Sequence, residues 1–555
     1  MSETTQHAAF DLTVEPWIVV LDKAGVRREM SIRDAFREAG EISQIVGEVP
    51  TQGFAILRVL LAILHRAVDG PRFEEGEDRS RHEHWCEVRD DWDGVVGAVG
   101  EYLDEYRERF DLRHPVTPFF QVAGLSTAAK DAAGLEMLIA DVPNGQQYQT
   151  TRSGRGTATI TWAEGARWLV HAHAYDPSGI RGAAIGDPRA KGGKGYPIGP
   201  GWSGQIGGVF LQGATLRDTL LLNLTESVTA GLETVGTDVP VWERPALTAA
   251  PDGGPDGREP TGPLDLYTWQ TRRIRLVGDG VVHGVVLCNG DKATPQNRFR
   301  LEPLTAWRWS DPQTKKFKQD TWMPRKHDPS RAIWRGLAGL LTGASGSKDK
   351  APGVLRFAEE LLADGVLTEP VLTVRAVGIT YGPQEATISE ITDDHLDLPA
   401  EIVAHGDGET ARLAVLAVEQ ADRAVYQLAS FAQNLALAAG GDTESSGPRD
   451  RAREAAFAEL DPMFRRWLLS LATSDDLRKS ETVWQRDVAA VVHRQADDLA
   501  GQAGPAAVVG RQARGRHIDL GLAHAWIRAG VAKELPLAAA ERRRPRNERD
   551  DKGES

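Results

Sequence analysis

The sequence lacks the features that mark several common protein classes. Its 555 residues include only two cysteines, Cys86 and Cys288, which are far apart. This scarcity excludes a disulfide framework and a zinc site built from several thiolates. The N-terminus has no basic region followed by an apolar run, and we expect no segment long and apolar enough to span a bilayer. We therefore expect a cytoplasmic protein with no membrane partner.

Catalytic motifs are also scarce. The sequence contains no G-x-x-x-x-G-K-[ST] motif, no G-x-G-x-x-G between a predicted strand and a predicted helix, and no G-x-S-x-G. Two histidine pairs, His82 with His84 and His171 with His173, lack a third ligand at metal-binding spacing. We therefore predict that the chain is not an enzyme and holds no metal or other cofactor.

Alternating and helical hydrophobic patterns predict an α+β protein. A strand pair at Trp17–Leu21 and Val26–Met30 precedes a helix that Ser31 is suited to cap, and a core helix follows. A short strand is expected at Thr157–Trp162. Further on, LYTWQTRRIRLVGDGVVHGVVLCNG predicts a β-hairpin.

Helical periodicity dominates the C-terminal part. A seam of small and apolar residues recurs at steps of four and three from Ala414 to Leu435, and three more helical blocks follow. The predicted organisation is a large mixed α/β domain over residues 1–400, a four-helix bundle over 401–535, and a disordered tail over 536–555.

Glycine is concentrated in the middle of the chain. The stretch PSGIRGAAIGDPRAKGGKGYPIGPGWSGQIGG, residues 177–208, contains eleven glycines, together with Arg181, Arg189, Lys191 and Lys194. A flexible surface loop is one interpretation, because each glycine raises the entropy cost of ordering. The alternative is backbone that approaches a partner closely. Thin backbone suits a DNA minor groove, which is only about 6 Å wide.

A second unusual segment, Asp291–Arg335, contains eleven basic and five acidic residues, although the whole chain carries a net charge of −14. Its aromatic residues are Phe299, Trp307, Trp309, Phe317, Trp322 and Trp334. Cations neutralise phosphates and flat rings stack on bases, so the segment as a whole favours a localised nucleic-acid contact. Each tryptophan taken alone is better explained as a core residue. The predicted phosphate contacts are Lys191, Lys194, Lys315, Lys316 and Lys318.

Five segments occur in the order and at the approximate spacing of a known family: FDLTVEPWIVV, ILRVLLAILHRA, HPVTPFFQV, TLRDTLLLNL and LYTWQTRRIRL. With the helical C-terminal part, they resemble the CasA family, the large subunit of the type I-E CRISPR Cascade surveillance complex. The resemblance covers nearly the whole chain. It implies a non-catalytic subunit that recognises the protospacer-adjacent motif (PAM) in double-stranded DNA, helps to open the duplex and form the R-loop, and recruits a helicase-nuclease. The implied partners are the other Cascade subunits, the guide RNA and target DNA.

The resemblance also places three DNA-contacting elements. The family's glycine loop falls on DPSGIRG, where Gly179, Ile180, Arg181 and Gly182 would lie against the minor groove and Arg181 would add a cation. The family's wedge falls on GITYGPQEATISE, with Gln384 at the tip and Pro383 shaping the turn. The family's lysine finger maps near NRFRLEPLTAW, where Arg298 or Arg300 would have to replace the lysine.

A fourth family element is a loop near the guide RNA and the motif. It corresponds to NGQQYQTTRSGRG, with Gln146, Gln147, Tyr148 and Arg152 as candidate contacts. A surface loop without such a role explains this segment equally well.

Two alternative functions stay open at this point. One is a metal-dependent nuclease or hydrolase that uses Asp393, Asp394, His395 and Asp397. The other is a pure scaffold subunit whose helical part bridges other proteins.

Overall fold

The computed structural model describes residues 9–69, 81–129, 132–142, 158–225, 238–254, 257–343, 348–442, 445–513 and 515–543. Contacts divide the chain into two units. The first comprises Met1–Pro329, Lys348–Thr368 and Leu372–His395, and the second comprises Ser330–Ser347, Glu369–Val371 and Leu396–Ser555. The sequence predicts one boundary between 400 and 401, so it misses the two earlier segments that belong to the second unit.

Helices and short strands alternate along the described residues. The helices are α1 (Ile32–Arg37), α2 (Pro50–Val68), α3 (Arg81–Asp90), α4 (Trp92–Glu105), α5 (Trp162–Tyr175), α6 (Leu216–Asn223), α7 (Pro263–Tyr267), α8 (Asp311–Phe317), α9 (Gly353–Ala363), α10 (Ala400–Ala404), α11 (Glu409–Ala438), α12 (Gly447–Ser470), α13 (Leu477–Gly501), α14 (Pro505–Val509), α15 (Leu520–Glu534) and α16 (Pro536–Arg543). The strands are β1 (Ile18–Asp22), β2 (Arg27–Met30), β3 (Ile42–Ile45), β4 (Arg181–Gly182), β5 (Lys194–Gly195), β6 (Gly208–Gln212), β7 (Arg272–Gly278), β8 (Val282–Asn289), β9 (Trp307–Trp309), β10 (Trp322–Pro324), β11 (Val371–Tyr381), β12 (Ile388–Pro399), β13 (Arg511–Ala513) and β14 (Arg516–Ile518).

The first unit is built from small antiparallel sheets around a buried helix. One sheet has the order β2-β1-β3, another has the order β12-β11-β6, and β7 pairs with β8 as a hairpin. The side chain of Ser31 caps α1 by accepting from the amide of Asp34, as the sequence predicts. The mixed α/β fold class is therefore confirmed for this unit.

Helix α2 lies at the centre of the first unit and is buried on nearly all sides. It is the one described helix long and apolar enough to cross a membrane, which was not expected from the sequence, and 94% of its apolar window is buried inside the protein. One of its two arginines, Arg58, is also buried. The guanidinium donates to both carboxylate oxygens of Glu302 at 3.0 and 2.8 Å, and the indole of Trp202 donates to the same carboxylate at 2.6 Å. The buried charge is thus fully paired.

The strand predicted at Thr157–Trp162 is found only in part: Thr157 lies outside the described residues, Ile160 forms an isolated antiparallel bridge with Val282, and Trp162 begins a helix. Helix α5 begins at Trp162, because the hydroxyl of Thr161 caps it by accepting from the amide of Glu164. In a helix, residues two apart point to opposite sides, so His171 and His173 do not share a face. A hydrogen bond of 2.9 Å links His171 to Thr51, and another of 2.8 Å links His173 to the carbonyl of Phe120. The alternation of polar and apolar residues over this short window indicated a strand, whereas the chain is helical from Trp162 onward.

The second unit is mainly helical, as predicted. Helix α11 packs against α12, α13 and α15, and the whole predicted seam from Ala414 to Leu435 is buried. The indole of Trp484 donates to the carbonyl of Ala417 at 2.9 Å and ties α13 to α11. Helix α16 occupies 536–543, so the expected disordered tail does not begin at 536; residues 544–555 lie outside the described part.

Candidate nucleic-acid interface

The glycine-rich stretch forms a short antiparallel ribbon from β4 and β5. The chain reverses at Gly192 and Gly193, whose φ angles are 59° and 73°. Such left-handed angles at both positions of a two-residue hairpin loop strongly favour glycine. Lys191 and Lys194 flank the loop, exchange backbone hydrogen bonds of 3.1 and 3.2 Å, and are exposed. The stretch is therefore an ordered ribbon with two lysines at its tip.

Gly179 and Gly182 are not required by the local fold. A methyl group added to Gly179 would lie 3.9 Å from Cζ of Arg181, and one added to Gly182 would lie 3.4 Å from Cγ2 of Thr127. Both distances are ordinary van der Waals contacts, and neither glycine has a left-handed φ. An added methyl group at either position should therefore leave the fold intact.

A buried ion-pair cluster, which was not expected from the sequence, anchors both ends of the ribbon. Arg272 of β7 is fully buried, and its guanidinium donates to the Asp176 carboxylate at 2.5 Å. The same guanidinium donates to the backbone carbonyls of Asp176, Pro177 and Gly199 at 3.0, 2.9 and 2.9 Å. One side chain thus holds together the two segments that flank the β4/β5 ribbon.

Arg181 belongs to this cluster. Its guanidinium donates to both carboxylate oxygens of Asp176, at 2.9 and 2.7 Å, and to the carbonyl of Pro177 at 3.1 Å. The side chain is 12% exposed. The expectation of a cation available to the minor groove is therefore corrected: the nearby carboxylate holds Arg181 against the protein.

The predicted wedge is the turn that joins β11 to β12. Gln384 lies at its tip, exposed, with φ 58° and ψ 17°, and Pro383 beside it is also exposed. A left-handed glutamine costs about 1–2 kcal/mol, so the surrounding contacts must fix it. The amide of Gly382 donates to the carbonyl of Thr387 at 2.8 Å, and the Lys326 ammonium donates to the carboxylate of Glu385 at 2.9 Å.

The wedge turn and the glycine-rich ribbon lie side by side, although they are far apart in the sequence. The backbone amide of Ser178 donates to the carbonyl of Glu385 at 2.9 Å. The hydroxyl of Tyr381, at the end of β11, donates to the carbonyl of Tyr175 at 2.7 Å. The structure therefore brings together two elements that were assigned separately from the sequence.

The two candidates for the basic finger differ in their surroundings. Arg298 forms an ion pair with Glu259 and donates to the carbonyl of Thr294 at 3.2 Å, and burial lowers its pKa. Arg300 is exposed, and within the described residues its guanidinium has no ion pair; it lies 5.9 Å from the ring centre of Phe299. The geometry favours Arg300 as the finger.

Three predicted phosphate contacts lie on or next to one exposed helix. Lys315 and Lys316 belong to α8, which buries none of its residues, and Lys318 ends the helix with φ 54°. All three lysines are exposed. They form a basic patch on the first unit that is suited to phosphate contact.

The aromatic residues of the basic segment divide into two groups. Trp307 and Trp334 are buried. Trp334 stacks on Phe464 within the second unit, 4.4 Å between ring centres, so neither indole is available to nucleic acid. Trp309 and Trp322 are half-buried and lie 5.1 Å apart, edge to face. The expectation that a tryptophan taken alone is a core residue is therefore confirmed for Trp307 and Trp334.

The remaining sequence candidates do not form a site in the described part. Asp393 pairs with Arg375, and strand alternation places Asp394 on the opposite face of β12 from Asp393 and His395. Within the residues that the structure describes, no group of three histidine, cysteine or acidic side chains is arranged to hold a metal ion. The guide-loop candidates Gln146, Gln147, Tyr148 and Arg152 lie outside the described residues.

Comparison with known proteins decides the family. Residues 11–495 match the family described as CRISPR-associated protein Cse1. The chain belongs to the Cse1 family. The chain is 28% identical over 451 residues to CRISPR-associated protein CasA/Cse1 of Thermus thermophilus, a match that covers 78% of this chain and 79% of that relative.

Solved structures of similar proteins agree. The crystal structure of Thermobifida fusca Cse1 is 42% identical, covers 96% of this chain and 99% of that chain, and has a TM-score of 0.85. A protein chain in a CRISPR RNA-guided surveillance complex shares the fold, with a TM-score of 0.65 at 19% identity, over 88% of this chain and 99% of that chain. The family resemblance stated from the sequence is therefore confirmed, as is the mixed α/β fold of this Cse1 family member.

Proposed function

We propose that this chain is the non-catalytic large subunit of an RNA-guided antiviral surveillance complex in the cytoplasm. It recognises the PAM in double-stranded DNA, promotes strand opening and R-loop formation, and recruits the helicase-nuclease. Its partners are the other subunits of the complex, the guide RNA and the target duplex. The similarity to a protein found in a surveillance complex supports this assembly.

The observation that carries the proposal is the hydrogen bond from Ser178 to Glu385. It joins a thin, basic ribbon to an exposed glutamine turn. A ribbon that touches the PAM in the minor groove would therefore place Gln384 next to the base pairs where opening must begin. The same surface would then recognise the motif first and separate the strands next.

Charge supports the same surface. The ribbon tip carries the exposed Lys191 and Lys194, while its acidic residues, Asp176 and Asp187, are buried and paired with arginines. Arg300 and the α8 lysines add cations on the same unit. Phosphate contacts of this kind position a protein on DNA without selecting a sequence. Selection therefore falls to the thin part of the ribbon.

The experiment that tests this function is a motif panel. The guide RNA complex is assembled with wild-type chain or with Gly179 and Gly182 both changed to leucine, and target-duplex affinity is measured across PAM variants. We expect discrimination between motifs to collapse, while binding to a preopened target survives. Unchanged discrimination by the double variant would overturn the assignment of the ribbon.

Catalysis is tested in parallel. The isolated chain is incubated with target DNA and Mg²⁺ or Mn²⁺, with Asp393→Asn as the matched variant. No cleavage is expected. Metal-dependent cleavage that the variant abolishes would establish the nuclease alternative instead.

A further inference from the structure

The outward face of the β4/β5 ribbon has an unusual composition. Arg181 pairs with Gly195 and Gly182 with Lys194, so the same register places Ile180 opposite Tyr196. Because side chains alternate along a strand, Ile180 and Gly182 face the same side as Lys194 and Tyr196. Burial agrees with this alternation, since these four residues are exposed, whereas Gly195 is buried and the Arg181 side chain is held against the protein.

Two large apolar side chains therefore project from the ribbon. Ile180 is 59% exposed and Tyr196 is 54% exposed. Exposed apolar side chains that lie together mark a candidate contact surface. Within the described residues, Tyr196 makes no side-chain hydrogen bond, so its ring and hydroxyl are both available to a partner.

The ribbon presents this pair rigidly. The side-chain amide of Asn289, on β8, donates to the carbonyls of Tyr196 and Gly195 at 2.8 and 3.2 Å. The Arg272 guanidinium holds the segments on either side of the ribbon through the carbonyls of Pro177 and Gly199. A pre-ordered wedge loses little conformational freedom on binding, which favours its use in recognition.

We propose that Ile180 and Tyr196 form an apolar wedge that enters the minor groove at the PAM and packs against sugars and base edges, with Lys194 on the same face directed to a phosphate. This inference rests on the proposed function and adds Tyr196 to its contact surface. The occupant is duplex DNA because the exposed charges of the ribbon are cations. Its two carboxylates, Asp176 and Asp187, are each paired with an arginine.

The widths of the ribbon and of the minor groove indicate what the apolar wedge would do to the DNA. Neighbouring strands lie about 4.8 Å apart before side chains are counted, whereas an undistorted minor groove is about 6 Å wide. The bare backbone at Gly179 and Gly182 suits an undistorted groove, but inserting Ile180 and Tyr196 as well requires the groove to widen. Apolar side chains achieve this elsewhere by partly unstacking a base step. Widening at the PAM would weaken stacking beside the wedge turn that carries Gln384.

The test uses the assembled guide RNA complex and a duplex that carries the PAM but does not match the guide, so that no R-loop forms. Affinity is measured for wild type, Tyr196→Ala, Tyr196→Phe and Tyr426→Ala. Tyr426 is the matched control, since it is a tyrosine of equal exposure, 55%, on α11 of the other unit. We expect an about tenfold or larger loss of affinity for Tyr196→Ala, which corresponds to about 1.4 kcal/mol of binding free energy or more.

The other variants distinguish an apolar contact made by Tyr196 from general electrostatic attraction between the ribbon and DNA. Tyr196→Phe should bind as wild type, and Tyr426→Ala should be silent. Lys194→Ala should lower the salt slope by about one, whereas Tyr196→Ala should leave the slope unchanged. A photocrosslinking residue at position 196 should label DNA at the PAM.

Each failure has a separate meaning. If the wild-type complex does not discriminate between PAM variants, the proposed function itself is wrong. If it discriminates but Tyr196→Ala binds like Tyr426→Ala, the apolar wedge formed by Ile180 and Tyr196 is refuted. If Tyr196→Ala prevents assembly of the complex, or the crosslink labels a protein subunit, the ribbon face is a protein interface, and the DNA assignment is overturned.

Discussion

The carboxylate of Asp176 holds two arginines, so Asp176→Asn tests how the ribbon is fixed. Arg272 has no solvent exposure, and Arg181 is 12% exposed. Burial lowers the pKa of Arg272, while the Asp176 charge raises it. An amide at position 176 keeps the shape of the side chain but removes the negative charge, which leaves two guanidinium groups side by side.

The magnitude follows from what each arginine can do afterwards. Removing one partner of a buried ion pair costs about 3–5 kcal/mol, because the other charge stays buried without compensation. Arg272 cannot reach solvent, so it bears this cost. Arg181 lies nearer the surface and can turn outward, so its lost pair adds about 1 kcal/mol or less. We expect Asp176→Asn to lower the free energy of unfolding by about 3–5 kcal/mol.

The matched control is Asp187→Asn in the same ribbon. Asp187 pairs with Arg189, which is 22% exposed and also donates to the carbonyls of Gly290 and Asn289 at 2.9 and 3.2 Å. Both arginines keep carbonyl partners, but Arg189 is also partly exposed to solvent whereas Arg272 is not, so a loss of only about 1–2 kcal/mol is expected for Asp187→Asn. Urea unfolding measures both variants, and hydrogen exchange over 177–199 should accelerate more in Asp176→Asn. The reasoning fails if Asp187→Asn is the more damaging change.

Two further predictions concern the wedge turn and acid stability. Gln384→Ala should weaken binding to a fully paired target more than binding to a preopened one; equal losses on the two targets would refute the wedge assignment. Burial lowers the pKa of His65 to about 4 and that of His171 and His173 to about 3. These histidines gain protons on unfolding below their unfolded pKa of about 6.5, so stability is present above that pH and is lost as the pH falls. From pH 7 to pH 5.5 each should cost about 1.3 kcal/mol in urea unfolding, about 4 kcal/mol in total; a flat profile would contradict their burial as neutral groups.

Local sequence patterns predicted local structure well. The Ser31 cap, the seam of α11 and the hairpin of β7 and β8 all depend on residues close together in the chain. The pattern failed at the end of the predicted strand, where alternation that holds at Ile160 gives way to a helix capped by Thr161. A short window cannot separate these two outcomes, because the packing that decides between them comes from distant residues.

The candidate site also depends on contacts between residues that are far apart in the sequence, which local patterns do not predict. The glycine count located the ribbon, but Asp176 and Arg272, which fix it, are 96 residues apart. No spacing rule connects them. Likewise, Ser178 and Glu385 lie far apart in the sequence, and only the folded chain brings them into contact.

Counting basic residues also overstates the charge available to DNA. Of the eleven in Asp291–Arg335, five form ion pairs in the structure: Arg298, Arg325, Lys326, Arg331 and Arg335. Within the described residues the other six have no ion pair and stay available: Lys292, Arg300, Arg308, Lys315, Lys316 and Lys318. The glycine-rich ribbon also divides into paired and unpaired basic residues: its arginines pair with aspartates and its lysines remain exposed. Arginine forms planar, multiple hydrogen bonds that suit fixed pairs, whereas lysine is strongly hydrated and stays in solvent. An acidic chain can therefore present a local basic surface, and the lysines and Arg300 mark where it lies.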